Sequence, residues 1–206
     1  MDDRTFLLRG GRVLGPNGFE KNASILVENG VIKAAGRVPE NQIAPSIPRL
    51  NVSGKTVLPG LIDLHVQGAG GRDLVDDDPD APEAIAEALA SMGTTAFLAT
   101  TVVEMGKKAQ SHLEGIARTA DGSGGGARIL GIHLEGPFIN PVKKGMIGEC
   151  YIEPAGVERL HEIQDYCDGR LRMMTIAPEL PGVIPVIDEL LDLGIIAVLG
   201  HSNATL

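Results

Sequence analysis

A histidine and a glutamate lie two residues apart at the end of an apolar segment. His133 and Glu135 close the segment 128–135, RILGIHLE, and Gly136-Pro137 follows as a turn signal. In a strand, residues i and i+2 point to one face, so one face would carry both an imidazole and a carboxylate. Such a pair is well placed for a metal ion or for a proton. On spacing alone, a solvated glutamate at a strand end is an equal alternative.

Two other apolar segments end in residues that could join Glu135. His65 and Gln67 close one of them, and His201 follows another, in GHSNAT at 200–205. Imidazole and carboxylate ligands suit Zn²⁺, and also Fe²⁺ or Mn²⁺. A catalytic metal keeps one position open for water and lowers its pKa toward about 7. A single histidine at a strand end is usually structural, but His65, His201 and Glu135 together favour a metal site.

A repeated strand–helix order predicts the elements that position these residues. The pattern indicates strands at 61–66, 94–101, 128–135, 171–177 and 195–199, with helices at 82–92, 107–119, 154–166 and 184–193. Nearly continuous apolar strands are typical of a parallel sheet covered by helices. Polar residues recur at the C-terminal ends of the strands, where (β/α)₈ barrels carry their active sites. His112 and His161 fall on helices, where we expect surface or capping roles.

The periodicity does not separate a barrel from a doubly wound sheet. No GxGxxG motif opens a helix after the first strand, so dinucleotide binding is not expected. Before this region, a strand at 5–15 and two apolar runs around Asn29-Gly30 predict a small all-β unit with a hairpin, followed by a polar loop at 37–50. We expect a β unit at 1–55 and five strand–helix units at 56–206.

Composition excludes several function classes. The net charge of −9 argues against nucleic acid and anionic membranes as partners. The two cysteines form no CxxC pair and are expected to be reduced thiols. The N-terminus has no apolar core of a signal peptide, and no apolar run reaches the roughly 18 residues of a membrane helix. We therefore expect a cytoplasmic protein.

The motifs resemble those of a known family. PGLIDLHVQG at 59–68 resembles the amidohydrolase superfamily, and GIHLEGPFINPVKKG at 131–145, TIAPE at 175–179 and GHSNAT at 200–205 resemble the N-acetylglucosamine-6-phosphate deacetylases. The resemblance covers roughly the first half of that family's length. It implies metal-dependent release of acetate from an amino-sugar phosphate. It also implies an α/β fold, a (β/α)₈ TIM-type barrel truncated here after about five strands, with an N-terminal β-sandwich portion. A cytoplasmic homodimer is implied as well.

The resemblance also implies roles for particular residues. Glu135 matches the family's metal-binding glutamate, and His201 matches its first metal-binding histidine. His65 and Gln67 stand where the superfamily has a His-x-His pair. One divalent ion is therefore expected, with Zn²⁺ foremost and Fe²⁺ or Mn²⁺ as alternatives, and a second ion at this pair is open. The second metal-binding histidine and the general-base aspartate are expected beyond Leu206.

Two departures keep other interpretations open. The family usually has a sugar-contacting histidine where Ile147 stands, and isoleucine cannot donate that hydrogen bond, so the substrate is in doubt. A hydantoinase or dihydroorotase type of amidohydrolase would need His-x-His and a bridging lysine after the fourth strand, where this chain has Ala177-Pro178-Glu179. An inactive fragment that lacks the aspartate is the third interpretation.

Overall fold

The computed structural model describes residues 4–15, 17–76, 78–103, 107–120 and 125–205. It divides into two compact units, Met1–Pro59 and Gly60–Leu206. The sequence also predicts a loop at 121–126, between the helix at 107–119 and the strand at 128–135, and most of it lies outside the described residues. No helix in the described ranges is both long and apolar enough to span a membrane.

The first unit contains one five-stranded sheet. Its strands are β1 (Phe6–Gly15), β2 (Gly18–Glu28), β3 (Val31–Gly36), β4 (Arg49–Asn51) and β5 (Thr56–Val57). The sheet order is β3-β2-β1-β4, and β5 also pairs with β1. The predicted hairpin is β2–β3, where Asn29 and Gly30 have φ of 53° and 79°. Asparagine and glycine tolerate positive φ, which the two-residue turn requires.

The second unit is built on a five-stranded parallel sheet. Its strands are β6 (Leu61–Val66), β9 (Thr94–Thr101), β10 (Arg128–Glu135), β11 (Leu171–Ile176) and β12 (Ile196–Leu199). They lie in the order β12-β11-β10-β9-β6, all parallel. A short antiparallel ribbon of β7 (Gly68–Ala69) and β8 (Arg72–Asp73) follows β6. The coarse prediction of a mixed α/β fold with a parallel sheet is confirmed.

Four helices connect the strands of this sheet. They are α1 (Ala81–Ser91), α2 (Lys107–Thr119), α3 (Val157–Tyr166) and α4 (Val183–Asp192). Helix α3 begins three residues later than predicted, because Gly156 before it is still extended, with φ −163° and ψ 138°. Each helix contacts the next, and their apolar faces bury a core against the strands that includes Ile85, Phe97, Leu113, Ile132, Leu160 and Val186. The polar strand ends lie at the C-terminal edge of the sheet.

Candidate metal centre

Glu135 is the centre of a group of polar side chains at this edge. It ends β10, and its side chain is only 13% exposed. Gln67 Nε2 donates a hydrogen bond to Glu135 Oε2 at 2.7 Å. His201 Nε2 lies 2.9 Å from Glu135 Oε1, and His65 Nε2 lies 3.7 Å from Oε2. Three of the residues singled out from the sequence, His65, Gln67 and His201, therefore converge on the carboxylate of the fourth, Glu135.

The position of His201 is fixed both by its backbone conformation and by a hydrogen bond of its ring. Its backbone lies in the left-handed region, with φ 49°, which is uncommon for a residue with a Cβ. Its Nδ1 donates to the carbonyl of Lys143 at 2.8 Å. Before it, Gly200 allows a close approach, since a Cβ there would come 2.8 Å from Thr175 Cγ2. The ring is thereby aimed at Glu135.

The hydrogen bonds of His201 determine what Nε2 can do. A carbonyl can only accept, so Nδ1 carries a proton, and the neutral ring has its lone pair on Nε2. That lone pair faces a carboxylate oxygen, so a proton or a metal ion must lie between the two atoms. Burial lowers the pKa of His201, but the hydrogen bonds to Glu135 and Lys143 outweigh it and raise the pKa above its ordinary value. The raised pKa favours a proton between the two atoms, at the position where a cation could also lie.

The donor set fits a divalent metal, although the side chains are drawn closer together than ligands are. Two atoms about 2.1 Å from a tetrahedral ion lie about 3.4 Å apart, and the Glu135–His201 contact is 2.9 Å. Within the described ranges, no group of three or more His, Cys, Asp or Glu side chains is arranged to hold a metal. The bond from His201 Nδ1 to the Lys143 carbonyl is the kind of outer contact that a metal-binding histidine usually makes.

His133 has a structural role in the described fold. Its side chain is 1% exposed, its Nδ1 lies 3.1 Å from Thr100 Oγ1, and its Nε2 lies 2.9 Å from Thr175 Oγ1. Burial, together with the nearby His65, lowers the pKa of His133 to about 4. The ring is therefore neutral at physiological pH and ties β10 to both of its neighbours. It also packs edge-on against His65, with the ring centroids 5.0 Å apart.

Glu179 is occupied by three hydrogen bonds. It accepts from Asn140 Nδ2 at 2.9 Å, Ser202 Oγ at 2.7 Å and the backbone nitrogen of Asn203 at 2.6 Å. The small desolvation it experiences would raise the pKa of Glu179, but these hydrogen bonds outweigh it and lower the pKa to about 2. Glu179 and His133 are both poor general bases, because the lowered pKa of each makes it a weak proton acceptor.

Ile147 lies in an apolar cluster. It is buried and groups with Val102 and Ile139. Its backbone nitrogen closes a turn onto the carbonyl of Lys144 at 3.1 Å. The sequence motifs did not reveal two contacts, that of Thr175 with His133 and that of the Lys143 carbonyl with His201. For the first contact, the only local signal is a threonine near the end of an apolar strand. For the second, a backbone carbonyl gives no signal in the sequence.

Comparison with known proteins defines the class. The Amidohydrolase family model matches residues 56–193. The chain belongs to the amidohydrolase family.

Particular relatives are deacetylases of amino-sugar phosphates. The chain is 35% identical over 197 residues to N-acetylglucosamine-6-phosphate deacetylase of Vibrio furnissii, covering 95% of this chain and 49% of the relative. It is 30% identical over 201 residues to an N-acetylgalactosamine-6-phosphate deacetylase of Escherichia coli, covering 98% and 52%. The chain thus spans about half the length of the curated relatives it matches.

A solved structure resembles the fold closely. The structure is a mutant N-acetyl-D-glucosamine-6-phosphate deacetylase of Mycobacterium smegmatis in complex with N-acetyl-D-glucosamine-6-phosphate, and it superposes with a TM-score of 0.82. The identity is 26%, and the match covers 98% of this chain and 51% of that one. The likeness therefore extends over both units of the chain.

Proposed function

We propose that this chain forms the metal-binding half of a deacetylase that converts N-acetylglucosamine 6-phosphate and water to glucosamine 6-phosphate and acetate, in amino-sugar catabolism. The carrying observation is the convergence of His201 and Gln67 on Glu135, at 2.9 and 2.7 Å, in a chain whose relatives are named for this reaction. The carboxyl edge of a parallel sheet is where such enzymes place their chemistry.

Glu135 and His201 would hold the ion, and His65 and Gln67 lie beside Glu135. Zn²⁺ is proposed first because a carboxylate and imidazoles suit it, with Fe²⁺ and Mn²⁺ as alternatives. When bound, a divalent ion polarises a carbonyl and lowers the pKa of water. Gln67 presents an N–H to Glu135 in this arrangement, which favours an orienting role for Gln67 and one tightly bound ion.

Residues of this chain orient the carboxylate of Glu135, and the role of general base is still to be assigned. Gln67 and His201 hold the two carboxylate oxygens of Glu135 in fixed directions. In the reaction, the oxygen of water bonds to the acetyl carbon, the C–N bond breaks, and the water's proton passes to the leaving nitrogen. Glu179 and His133 are poor candidates for that proton transfer, so we propose an aspartate outside residues 1–206 as the base.

The finer architecture is proposed as part of a (β/α)₈ barrel. The strands β6, β9, β10, β11 and β12 lie side by side in chain order, whereas a doubly wound sheet reverses its order at a switch point. The two edge strands also expose large apolar side chains, among them Leu61 and Ile196, at 63% and 59%. We propose likewise that the sheet of residues 1–59 is one part of a β-sandwich.

A second question about the substrate is which of two sugar epimers the enzyme accepts. One relative is named for N-acetylgalactosamine 6-phosphate, and Ile147 cannot donate the hydrogen bond expected of the family's histidine. We propose the glucosamine compound as the main substrate and the galactosamine compound as the alternative. The hydantoinase or dihydroorotase type is disfavoured, because Ala177-Pro178-Glu179 offers no bridging lysine.

Acetate release from both sugar phosphates tests the proposal. The assay uses the full-length protein, of a length similar to that of the relatives. Metal is first removed with a chelator, and Zn²⁺, Fe²⁺ or Mn²⁺ is then added. We expect metal-dependent release of acetate that is faster for the glucosamine compound. Residues 1–206 alone are expected to release none, since the proposed base lies outside this range. Turnover of the full-length protein that is indifferent to metal would refute the proposal.

We propose in addition that the full-length protein is a cytoplasmic homodimer, as the resemblance of the sequence motifs implies. Size-exclusion chromatography with light scattering, on the full-length protein, measures the oligomeric state. Fractionation of the source cells measures the location. A monomer, or a protein recovered outside the cytoplasm, would overturn the corresponding part of the proposal.

A further inference from the structure

Glu179 joins the segments that follow three neighbouring strands. It lies three residues after the end of β11. Asn140, one of its partners, follows β10, and Ser202 and Asn203 follow β12. One carboxylate therefore connects the loops on both sides of its own strand. Glu179 belongs to the TIAPE motif, and Ser202 and Asn203 belong to the GHSNAT motif. Metal binding alone does not explain these residues.

Both connected segments lead to His201. The backbone nitrogen of Asn140 donates to the carbonyl of His201 at 3.0 Å. Asn140 Oδ1 also accepts from the backbone nitrogen of Val142 at 2.9 Å and caps the short turn Pro141–Lys143. The carbonyl at the end of that turn is the one that accepts from His201 Nδ1. The ring of His201 thus depends on a turn that Asn140 holds.

Glu179 also contacts the two residues that directly follow His201 in the chain, Ser202 and Asn203. Ser202 Oγ in addition accepts from the backbone nitrogen of Ala204 at 3.0 Å. A left-handed conformation at a residue with a Cβ is unfavourable and persists where surrounding contacts determine it. Glu179 supplies such contacts to the two residues after His201.

We propose that Glu179 is a positioning residue, which holds the imidazole of His201 in the orientation that places Nε2 against Glu135. This inference rests on the proposed metal centre for its consequence, since a misdirected His201 would bind metal weakly. Its structural part, the orientation of the ring, is independent of whether a metal binds.

Two substitutions of Glu179 test the proposal. Glu179→Ala removes all three hydrogen bonds. Glu179→Gln keeps an oxygen that can accept from Asn140 and Asn203 and replaces the other oxygen with an NH₂ group. Glu189→Gln is the matched control, because Glu189 Oε1 contacts His161 Nε2 at 2.8 Å on helices α4 and α3. The control thus removes a charge beside another histidine.

Two measurements separate orientation from metal binding. The first is the Nδ1–H signal of His201 in metal-free protein, observed by ¹H–¹⁵N NMR and assigned by its loss in His201→Ala. The second is the dissociation constant of Zn²⁺, obtained by competition with a chelator. We expect Glu179→Ala to lose the protected Nδ1–H signal and to weaken Zn²⁺ binding about tenfold or more. Glu179→Gln should show a smaller change in both, and Glu189→Gln none.

The outcomes decide the proposal in each case. An unchanged Nδ1–H signal in Glu179→Ala would overturn it. Equal losses in Glu179→Gln and Glu179→Ala would also overturn it, because charge rather than hydrogen bonding would then be responsible. If the unsubstituted full-length protein binds no Zn²⁺, the proposed function fails, while the NMR signal still decides the inference. If Glu179→Ala does not fold, Ser202→Ala, which removes one donor, takes its place with the same expected direction.

Discussion

The Nε2 atom of His201 faces the Oε1 atom of Glu135 at 2.9 Å, across 66 positions of sequence. The other ring nitrogen is committed to the Lys143 carbonyl, so two acceptor atoms meet unless a proton or a cation lies between them. This relationship brings a histidine and a carboxylate from two distant segments into direct contact.

Loss of either residue should abolish metal binding. Glu135→Gln removes a charged oxygen ligand and His201→Ala removes a nitrogen ligand, so both should lose bound divalent metal and, in the full-length enzyme, deacetylase activity. Elemental analysis and the acetate assay measure the two effects. His161→Ala, which changes an exposed histidine on α3, is the control and should keep both. Full metal occupancy in both site variants would rule out the assigned ligands.

Gln67 should affect how tightly one metal binds and not the number of ions. Gln67→Ala removes the hydrogen bond to Glu135 Oε2, so we expect metal stoichiometry to stay near one and affinity to fall about tenfold. Activity should fall moderately. Equilibrium dialysis with metal analysis counts the ions. A fall from about two ions to one would show instead that the His65–Gln67 pair builds a second site.

The hydroxyl of Thr175 should contribute to stability through His133. Thr175→Val keeps the side-chain shape but leaves His133 Nε2 without its partner at 2.9 Å. A buried polar atom left unpaired costs about 1–3 kcal/mol, so the free energy of unfolding should fall by about that amount in urea titrations.

The control for this change is Thr119→Val. Thr119 lies at the end of α2, and its hydroxyl donates to the Gly115 carbonyl at 3.2 Å within the helix. We expect its change in the free energy of unfolding to stay within about 0.5 kcal/mol. Equal effects of the two substitutions would show that the contact of Thr175 with His133 has no special weight.

The two cysteines should differ in reactivity. Cys150 is exposed, whereas Cys167 is buried, and burial raises the pKa of the Cys167 thiol to about 12. The thiolate is the reactive form, so of these two thiols only that of Cys150 should react fast with an aromatic disulfide reagent. The thiol of Cys167 should react only after unfolding, and Cys150→Ser should remove the fast reaction that belongs to this pair. Fast labelling of Cys167 in the native protein would contradict its buried position.

Local sequence was sufficient for the elements and for the candidate ligands. Alternation of apolar strands with amphipathic helices is a short-range pattern, and it predicted the five parallel strands and four helices closely. Asn29-Gly30 predicted its hairpin because positive φ is a property of the residues themselves. His65, Gln67, Glu135 and His201 could be singled out because a polar residue that ends an apolar strand is conspicuous in the sequence.

The tertiary structure decided which of these residues meet and what holds them. The parallel pairing of β4 and β5 with β1 joins segments about 40 residues apart and has no local signature. The same holds for the burial of His133 between two threonines, for the direction of Ile147 and for the contacts of Glu179. Each depends on long-range packing, since a hydrogen-bond partner is set by which strands become neighbours, and the local hydrophobic period does not encode that order.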